Sequence, residues 1–366
     1  MSRGDMDLRA ILLRRIAAEG PMPLSDYMAA CLLHPVHGYY TSRDPLGRDG
    51  DFITAPEISQ MFGELIGLCL AQSWLDQGAP SPVTLAELGP GRGTLIADVL
   101  RATAHVPGFH AAVELHLVEA SPVLRARQQA ALAGHPAHWH DQVSELPEQP
   151  LLLIANEFFD ALPIRQFRRS GDLWRETVVG ATAGALSLGL SPPAPIGALQ
   201  HRLSDTAEGD IVEICPGAAA IAQAISTRIE THGGAALIVD YGDWHALGDT
   251  FQALRGHAPT DPLADPGTAD LTAHVDFETL ADAASAHSLL TPQGVFLERL
   301  GITERAQRLA DRLSGDALSG HIAAHRRLTH PQEMGTLFKV IAFYPSQASP
   351  PPGLEAMRLQ TRGPQA

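Results

Sequence analysis

The chain has 366 residues, 45% of them hydrophobic and 18% charged, the balance of a globular protein long enough for one elaborated domain or two. With 41 acidic against 26 basic residues the formal charge is −15, so no nucleic-acid partner is expected, because sequence-independent binding needs a basic surface. No apolar run approaches the ~20 residues that span a bilayer, and no membrane span is expected.

The segment from Met1 to Gly20 reads as an amphipathic helix carrying Asp5, Asp7 and Glu19. It lacks the continuous apolar stretch of a secretory signal, and its acids argue against a transit peptide, which gives the expectation of a cytoplasmic location. Helices are predicted over Leu8 to Glu19, Leu24 to Leu33 and Glu57 to Trp74, the last from the stripe Ile58, Met61, Phe62, Leu65 and Cys69. A Gly- and Asp-rich loop, Gly38 to Asp51, lies between the second and third. Residues 1–80 are therefore expected to form an N-terminal helical cap. From residue 81 to 345 strands and helices alternate, as a mostly parallel α/β sheet requires. Strands are expected at 83–88, 113–119, 137–140, 151–156 and 236–241, with a late pair near 289–299 and 336–344. Insertions are expected near 164–200, where Ser170-Gly171 suggests a hairpin, and near 243–285, a long loop. The stretch 346–366, with Ser349-Pro350-Pro351-Pro352, reads as a mobile tail. Cys31, Cys69 and Cys215 are far apart, form no CxxC, and are expected to be buried thiols. The 17 histidines complete no metal-ligand pattern, so no metal is expected.

The densest signal is Leu85-Ala86-Glu87-Leu88-Gly89-Pro90-Gly91-Arg92-Gly93-Thr94. An apolar strand ends in three glycines at GxGxG spacing, and a helical pattern follows. Glycine allows a sharp turn and a close approach that a Cβ would exclude, and the free N–H groups of a helix start then face the ligand. The next strand ends in Glu119, whose carboxylate can accept hydrogen bonds from a ribose diol. Strand, glycine turn, helix, strand and acid make a nucleotide-type binding unit. Thr94 sits where the third glycine of the dinucleotide pattern belongs, and no Lys-Ser or Lys-Thr follows as in a phosphate-gripping loop. Glu87 disfavours a pyrophosphate and suits a cation. S-adenosylmethionine meets these conditions, with its α-amino group, sulfonium and ribose and no phosphate. The competing reading is an ordinary strand-to-helix turn.

The second constellation is Asn156-Glu157-Phe158-Phe159-Asp160-Ala161-Leu162-Pro163. In an open parallel sheet ligands bind beyond the carboxyl ends of the strands, which puts Asn156, Glu157 and Asp160 where a substrate meets the cofactor. Two carboxylates suit a guanidinium, which is planar, always protonated and satisfied by forked acceptors. Paired acids would localise its charge, orient the target nitrogen and remove a proton after transfer. The alternative is that Glu157 and Asp160 open a helix and offset its dipole. Asp51 could add a third carboxylate. Thr54-Ala55-Pro56-Glu57 reads as a capping box, a structural task for Glu57. Asp240-Tyr241-Gly242 is a further rim position. In Asp270-Leu271-Thr272-Ala273-His274-Val275-Asp276-Phe277, Thr272 or Asp276 is expected to cap a helix and His274 to be structural.

Together with His34-Pro35, Gly38-Tyr39-Tyr40, Gly50-Asp51-Phe52-Ile53-Thr54-Ala55-Pro56-Glu57-Ile58-Ser59 and Gly335-Thr336-Leu337-Phe338-Lys339-Val340, these segments resemble the MidA-like class I S-adenosylmethionine-dependent methyltransferases. The GxGxG element is generic; the Asp51-to-Ser59 and Asn156-to-Pro163 blocks are specific. The resemblance implies an α/β Rossmann-like sheet of about seven mostly parallel strands, with an N-terminal helical cap and insertions. It implies that Gly89, Gly91 and Gly93 face S-adenosylmethionine and that Glu119 takes its ribose; Glu87 and Asn156 are assigned to the cofactor with them. It further implies a protein client presenting an arginine, in one member a respiratory-complex subunit. Glu157 and Asp160, with Asp51, are the expected catalytic acids. Two other readings stay open: a client-holding assembly factor on the same fold, and a small-molecule methyltransferase. A dehydrogenase is disfavoured by the glycine spacing.

Overall fold

The computed structural model describes residues 7–42 and 54–357. Its main sheet runs in the order Thr291–Pro292, Phe338–Phe343, Gly234–Asp243, Leu151–Asn156, Val83–Leu88, Val113–Val118, Ala137–His140. The last five are parallel neighbours, and the first two are antiparallel. Val83–Leu88 and Leu151–Asn156 are buried at every position, as strands covered on both faces must be. The register pairs Leu88 with both Val118 and Ala155, and Asn156 with Val239. The chain therefore leaves all four strands along one edge, and the loops that follow meet there.

One face of the sheet carries helices Gln60–Asp76, Thr94–Thr103 and Ile302–Ala310; the other carries Pro216–His232 and Phe277–Asp282. The N-terminal 80 residues divide. Helices Leu8–Glu19 and Leu24–Leu33 pack not on the main sheet but on inserted elements, through Ile164, Val179, Ala253 and Leu271. The third helix is broken at Ser59, whose extended backbone starts Gln60–Asp76 and whose hydroxyl accepts from Met61 N (3.2 Å).

The expected 164–200 hairpin is larger: Arg165–Ser170 and Leu173–Thr182 gain Ala185–Leu190, Met22–Pro23 and Ile211–Ile214. The loop after Tyr241 contains a small sheet ordered Ala258–Thr260, Gln252–Arg255, Asp270–Thr272. The strand expected near 289–299 is corrected: only Thr291–Pro292 is extended, and Gln293–Arg299 is a helix. Residues 346–357, expected to be mobile, are packed instead. Leu354 is buried, Arg299 pairs with Glu355 at 2.6 Å, and Ser346 Oγ donates to Glu230 at 2.6 Å. Prolines there shape an ordered path, because the segment has apolar and charged partners to meet. Cys31 and Cys69 are buried, Cys215 is half-buried, and all three are free thiols. No described helix is long and apolar enough to cross a membrane.

Candidate active site

A cavity of about 890 Å³ opens beyond the carboxyl edge of the main sheet. Its floor is the turn after Val83–Leu88. Gly89, Gly91 and Gly93 have φ of 57°, 53° and 82°, the left-handed region that only glycine enters without strain. Gly89 and Gly91 line the cavity; Gly93 does not. A Cβ at Gly93 would face Gln128 and Ala131 at 3.5 and 3.6 Å, so its part is to turn the chain into helix Thr94–Thr103. Of the three glycines expected to face a ligand, Gly89 and Gly91 thus border the cavity and Gly93 stands behind it against Gln128.

Glu87 is 3% exposed, and one of its carboxylate oxygens has no partner. Burial pushes its pKa up to about 8, with a hydrogen bond from the Ile96 backbone opposing and the charge of Glu119 adding. A buried polar oxygen without a partner is uncommon and calls for one that the cavity can supply. Glu119 is oriented from two sides, accepting from Ser121 N (2.8 Å) and Gln128 Nε2 (3.0 Å). Burial raises its pKa, and the bond from Ser121 is the largest opposing cause. Gln128 is fully buried. It also donates to Gly91 O (2.8 Å) and accepts from Trp139 Nε1 (2.8 Å), fixing the glycine turn against the acid. Replacing Gln128 by leucine strands all three partners. We expect a loss of about 1–3 kcal/mol in stability and about tenfold weaker S-adenosylhomocysteine binding, by thermal unfolding and calorimetry. Unchanged affinity would make Gln128 a core residue only.

On the adjacent strand, Asn156 closes Leu151–Asn156 and Glu157 turns the chain with φ of 52°, strain that a non-glycine residue adopts only where surroundings impose it. Glu157 accepts from Ala55 N (3.1 Å) and Asn156 Nδ2 (3.0 Å). No helix follows: residues 157–163 form turns leading to strand Arg165–Ser170. The alternative of two acids opening a helix therefore fails, since there is no helix dipole for them to offset. Buried Asp240 holds this turn. Its carboxylate accepts from Phe159 N (2.9 Å), Asp160 N (3.3 Å) and Tyr241 N (2.9 Å). Asp160 is 7% exposed with Oδ1 unpartnered, and the Tyr241 hydroxyl lies against it and Thr272. Burial pushes Glu157 up to about 7 and Asp160 to about 6, the Tyr241 hydroxyl restraining the latter. Tyr40 reaches in from the cap and donates to Asp270 Oδ1 (2.8 Å).

The structure thus brings Glu87, Gly89, Gly91, Glu119, Asn156, Glu157 and Asp160 to one cavity. Asp51 lies outside the described residues. The capping box is not formed: Thr54 makes no side-chain cap, and Glu57 instead accepts from Thr94 Oγ1 (2.6 Å), tying the cap to the helix after the glycine turn. Asp276 does cap its helix, accepting from Thr279 N (3.0 Å). His274, expected to be structural rather than catalytic, lines the cavity edge-on to Tyr241 at 5.4 Å. Gln128 carries no sequence signal; Tyr241 and Asp270 stood in segments already singled out, without a reason to choose them.

Residues 65–296 match a family model described as "Putative S-adenosyl-L-methionine-dependent methyltransferase", well over half of the chain. The chain belongs to the S-adenosylmethionine-dependent methyltransferases. This methyltransferase is 37% identical to "Protein arginine methyltransferase NDUFAF7, mitochondrial" of Xenopus tropicalis, over 91% of this chain and 85% of that protein. It is 36% identical to the Homo sapiens protein of the same name, over 92% and 83%. The crystal structure of a Burkholderia thailandensis superfamily member bound to S-adenosyl-homocysteine aligns with a TM-score of 0.81 at 30% identity, covering 94% of this chain and 93% of that one. The family is the MidA-like one that the motifs resemble, the fold is class I, and the cofactor is S-adenosylmethionine. The donor set of the cavity fits it: an unpaired buried acid for the amino group, an oriented acid for the ribose, and a glycine turn without Cβ atoms. The expectation of a cytoplasmic location is overturned, because these relatives are mitochondrial proteins. It had rested on the lack of an apolar stretch and on three acids in the first twenty residues, and the character of so short a segment does not outweigh similarity along nine-tenths of the chain.

Proposed function

We propose that this methyltransferase modifies an arginine guanidinium of a protein client, in the setting of respiratory complex I assembly. The observation that carries the reading is a pair of carboxylates, the buried Asp160 and the half-buried Glu157, in the same cavity as the glycine turn. Two relatives named as protein arginine methyltransferases support it.

When bound, the cofactor supplies an electrophilic methyl group on a sulfonium. Glu87 would pair with its amino group, Glu119 would accept from its ribose, and Asn156 with the Gly89-to-Gly91 backbone would hold it beside the glycine turn. Asp160 and Glu157 accept N–H bonds from the guanidinium and hold its charge to one side, leaving the target nitrogen's lone pair directed at the methyl. Glu157, held by Ala55 N and Asn156, then takes the proton that the methylated nitrogen sheds. A carboxyl with a raised pKa is protonated over more of the acid range, so it does this work only once ionised. The free enzyme's kcat/KM for an arginine peptide is therefore expected to fall as pH drops from 8 through 7 to 6, following the groups at about 7 and about 6. A flat profile down to pH 5 would remove both from the mechanism.

The deciding experiment adds purified protein and methyl-labelled S-adenosylmethionine to lysate from cells lacking it, followed by acid hydrolysis of the protein fraction. Labelled methylarginine in one protein band supports the reading and identifies the client by mass spectrometry. No labelled protein, with cofactor binding intact, points to a small-molecule substrate or a client-holding role.

A further inference from the structure

The cavity has two rims of different character. Beside the cofactor half, the exposed lining residues are Gly89, Ala120, Asp141, Gln142, Ser144 and Ala220, all polar or small. At the acid end they are Leu33, 46% exposed, and Leu337, 49% exposed. Their positions follow from the fold. Leu33 ends helix Leu24–Leu33, which packs on strand Asp270–Thr272, whose Asp270 is held by Tyr40. Leu337 precedes Phe338, whose ring meets Tyr241 at 5.6 Å, and the Tyr241 hydroxyl lies against Asp160. Val36, 65% exposed, follows Leu33 in the next turn. Single exposed leucines need no explanation. These two differ because they stand on separate elements over one opening whose floor is acidic.

A ligand that satisfies both features is cationic at its tip and apolar on either side of the cation. We propose that Leu33 and Leu337 form a docking rim for an extended segment of the protein client in which the target arginine is flanked by large apolar side chains. The inference rests on the arginine reading above. Covering the rim buries apolar surface on both partners. It also excludes water from around the acids, so that the arginine is held in a medium of lower dielectric. The polar rim at the cofactor end offers no such surface, which orients the client segment over the acid end and leaves the other open for cofactor exchange.

The test uses two synthetic peptides, identical except that the arginine is flanked on both sides by leucine or by serine. Steady-state methylation of each is measured with the full-length protein, with Leu33→Ser, and with Leu337→Ser; S-adenosylhomocysteine binding reports folding. The wild type is expected to show a KM about tenfold lower for the leucine-flanked peptide, as for one or two apolar contacts. Each serine variant is expected to lose most of that preference while keeping kcat and its constants for the serine-flanked peptide. Equal KM values in the wild type, or a preference that survives in both variants, overturns the rim. If neither peptide is methylated while S-adenosylhomocysteine binds normally, the arginine reading itself fails and the rim falls with it.

Discussion

Replacing Glu157 by glutamine will leave S-adenosylhomocysteine binding close to wild type and will lower methyl transfer by about 10²–10⁴-fold, the usual worth of a positioned acid–base group. The substitution is conservative where structure is concerned. Glutamine keeps a carbonyl oxygen to accept from Ala55 N and Asn156 Nδ2, the two bonds that Glu157 makes. It removes the charge, and with it the attraction for a guanidinium and the capacity to take a proton. Asp160 remains as the partner acid, so client binding should weaken less than turnover. Calorimetry with S-adenosylhomocysteine and a labelled-methyl assay read the two effects separately. Full turnover by this variant would reduce Glu157 to a turn residue and leave Asp160 as the working acid.

Gly91→Val is expected to abolish useful cofactor binding for the opposite reason, since it leaves every charge in place. At φ of 53° a β-branched residue costs about 1–3 kcal/mol in backbone strain. Its side chain must also project beside a turn that lines the cavity. Together these predict a loss of S-adenosylhomocysteine affinity of about 100-fold or more, equivalent to about 2.7 kcal/mol. Gly171 supplies the control. It has φ of 59° in a hairpin turn, and a Cβ there would meet nothing within 4 Å. Gly171→Val carries a similar backbone cost far from the ligand and should lower stability while leaving affinity alone. Equal affinity loss in both would mean that the effect is global destabilisation.

The sheet was legible because its strands are continuous apolar runs that end in chemistry-bearing residues, and Glu87, Glu119 and Asn156 all stand at strand ends. The glycine turn was legible because few residues other than glycine accept its dihedrals. The reading failed where a short segment satisfies two periodicities. Gly294-Val295-Phe296-Leu297 is an apolar run that fits a strand, yet it forms a helix, since length and neighbours rather than pattern settle such cases. Glu57 shows a different failure. Its spacing from Thr54 matches a capping box, but the hydroxyl of Thr94, 37 residues away, reaches it, and no local rule foresees a distant partner. The same holds for Gln128, whose three partners lie on three separate segments. Asp240 was visible as a rim position, but two of its three backbone donors, Phe159 N and Asp160 N, meet it only once the turn after Asn156 is folded against it.

The two halves of the cavity come from different stretches of chain. The parts assigned to the cofactor lie within one run, from Glu87 to Asn156, on strands that pair with each other. The surroundings of the acid end arrive from elsewhere: Leu33 and Tyr40 before the sheet begins, Asp270, Thr272 and His274 from an insertion, Leu337 and Phe338 near its end. Changes in those peripheral segments can therefore reshape the surroundings of Glu157 and Asp160 while the run from Glu87 to Asn156 stays constant.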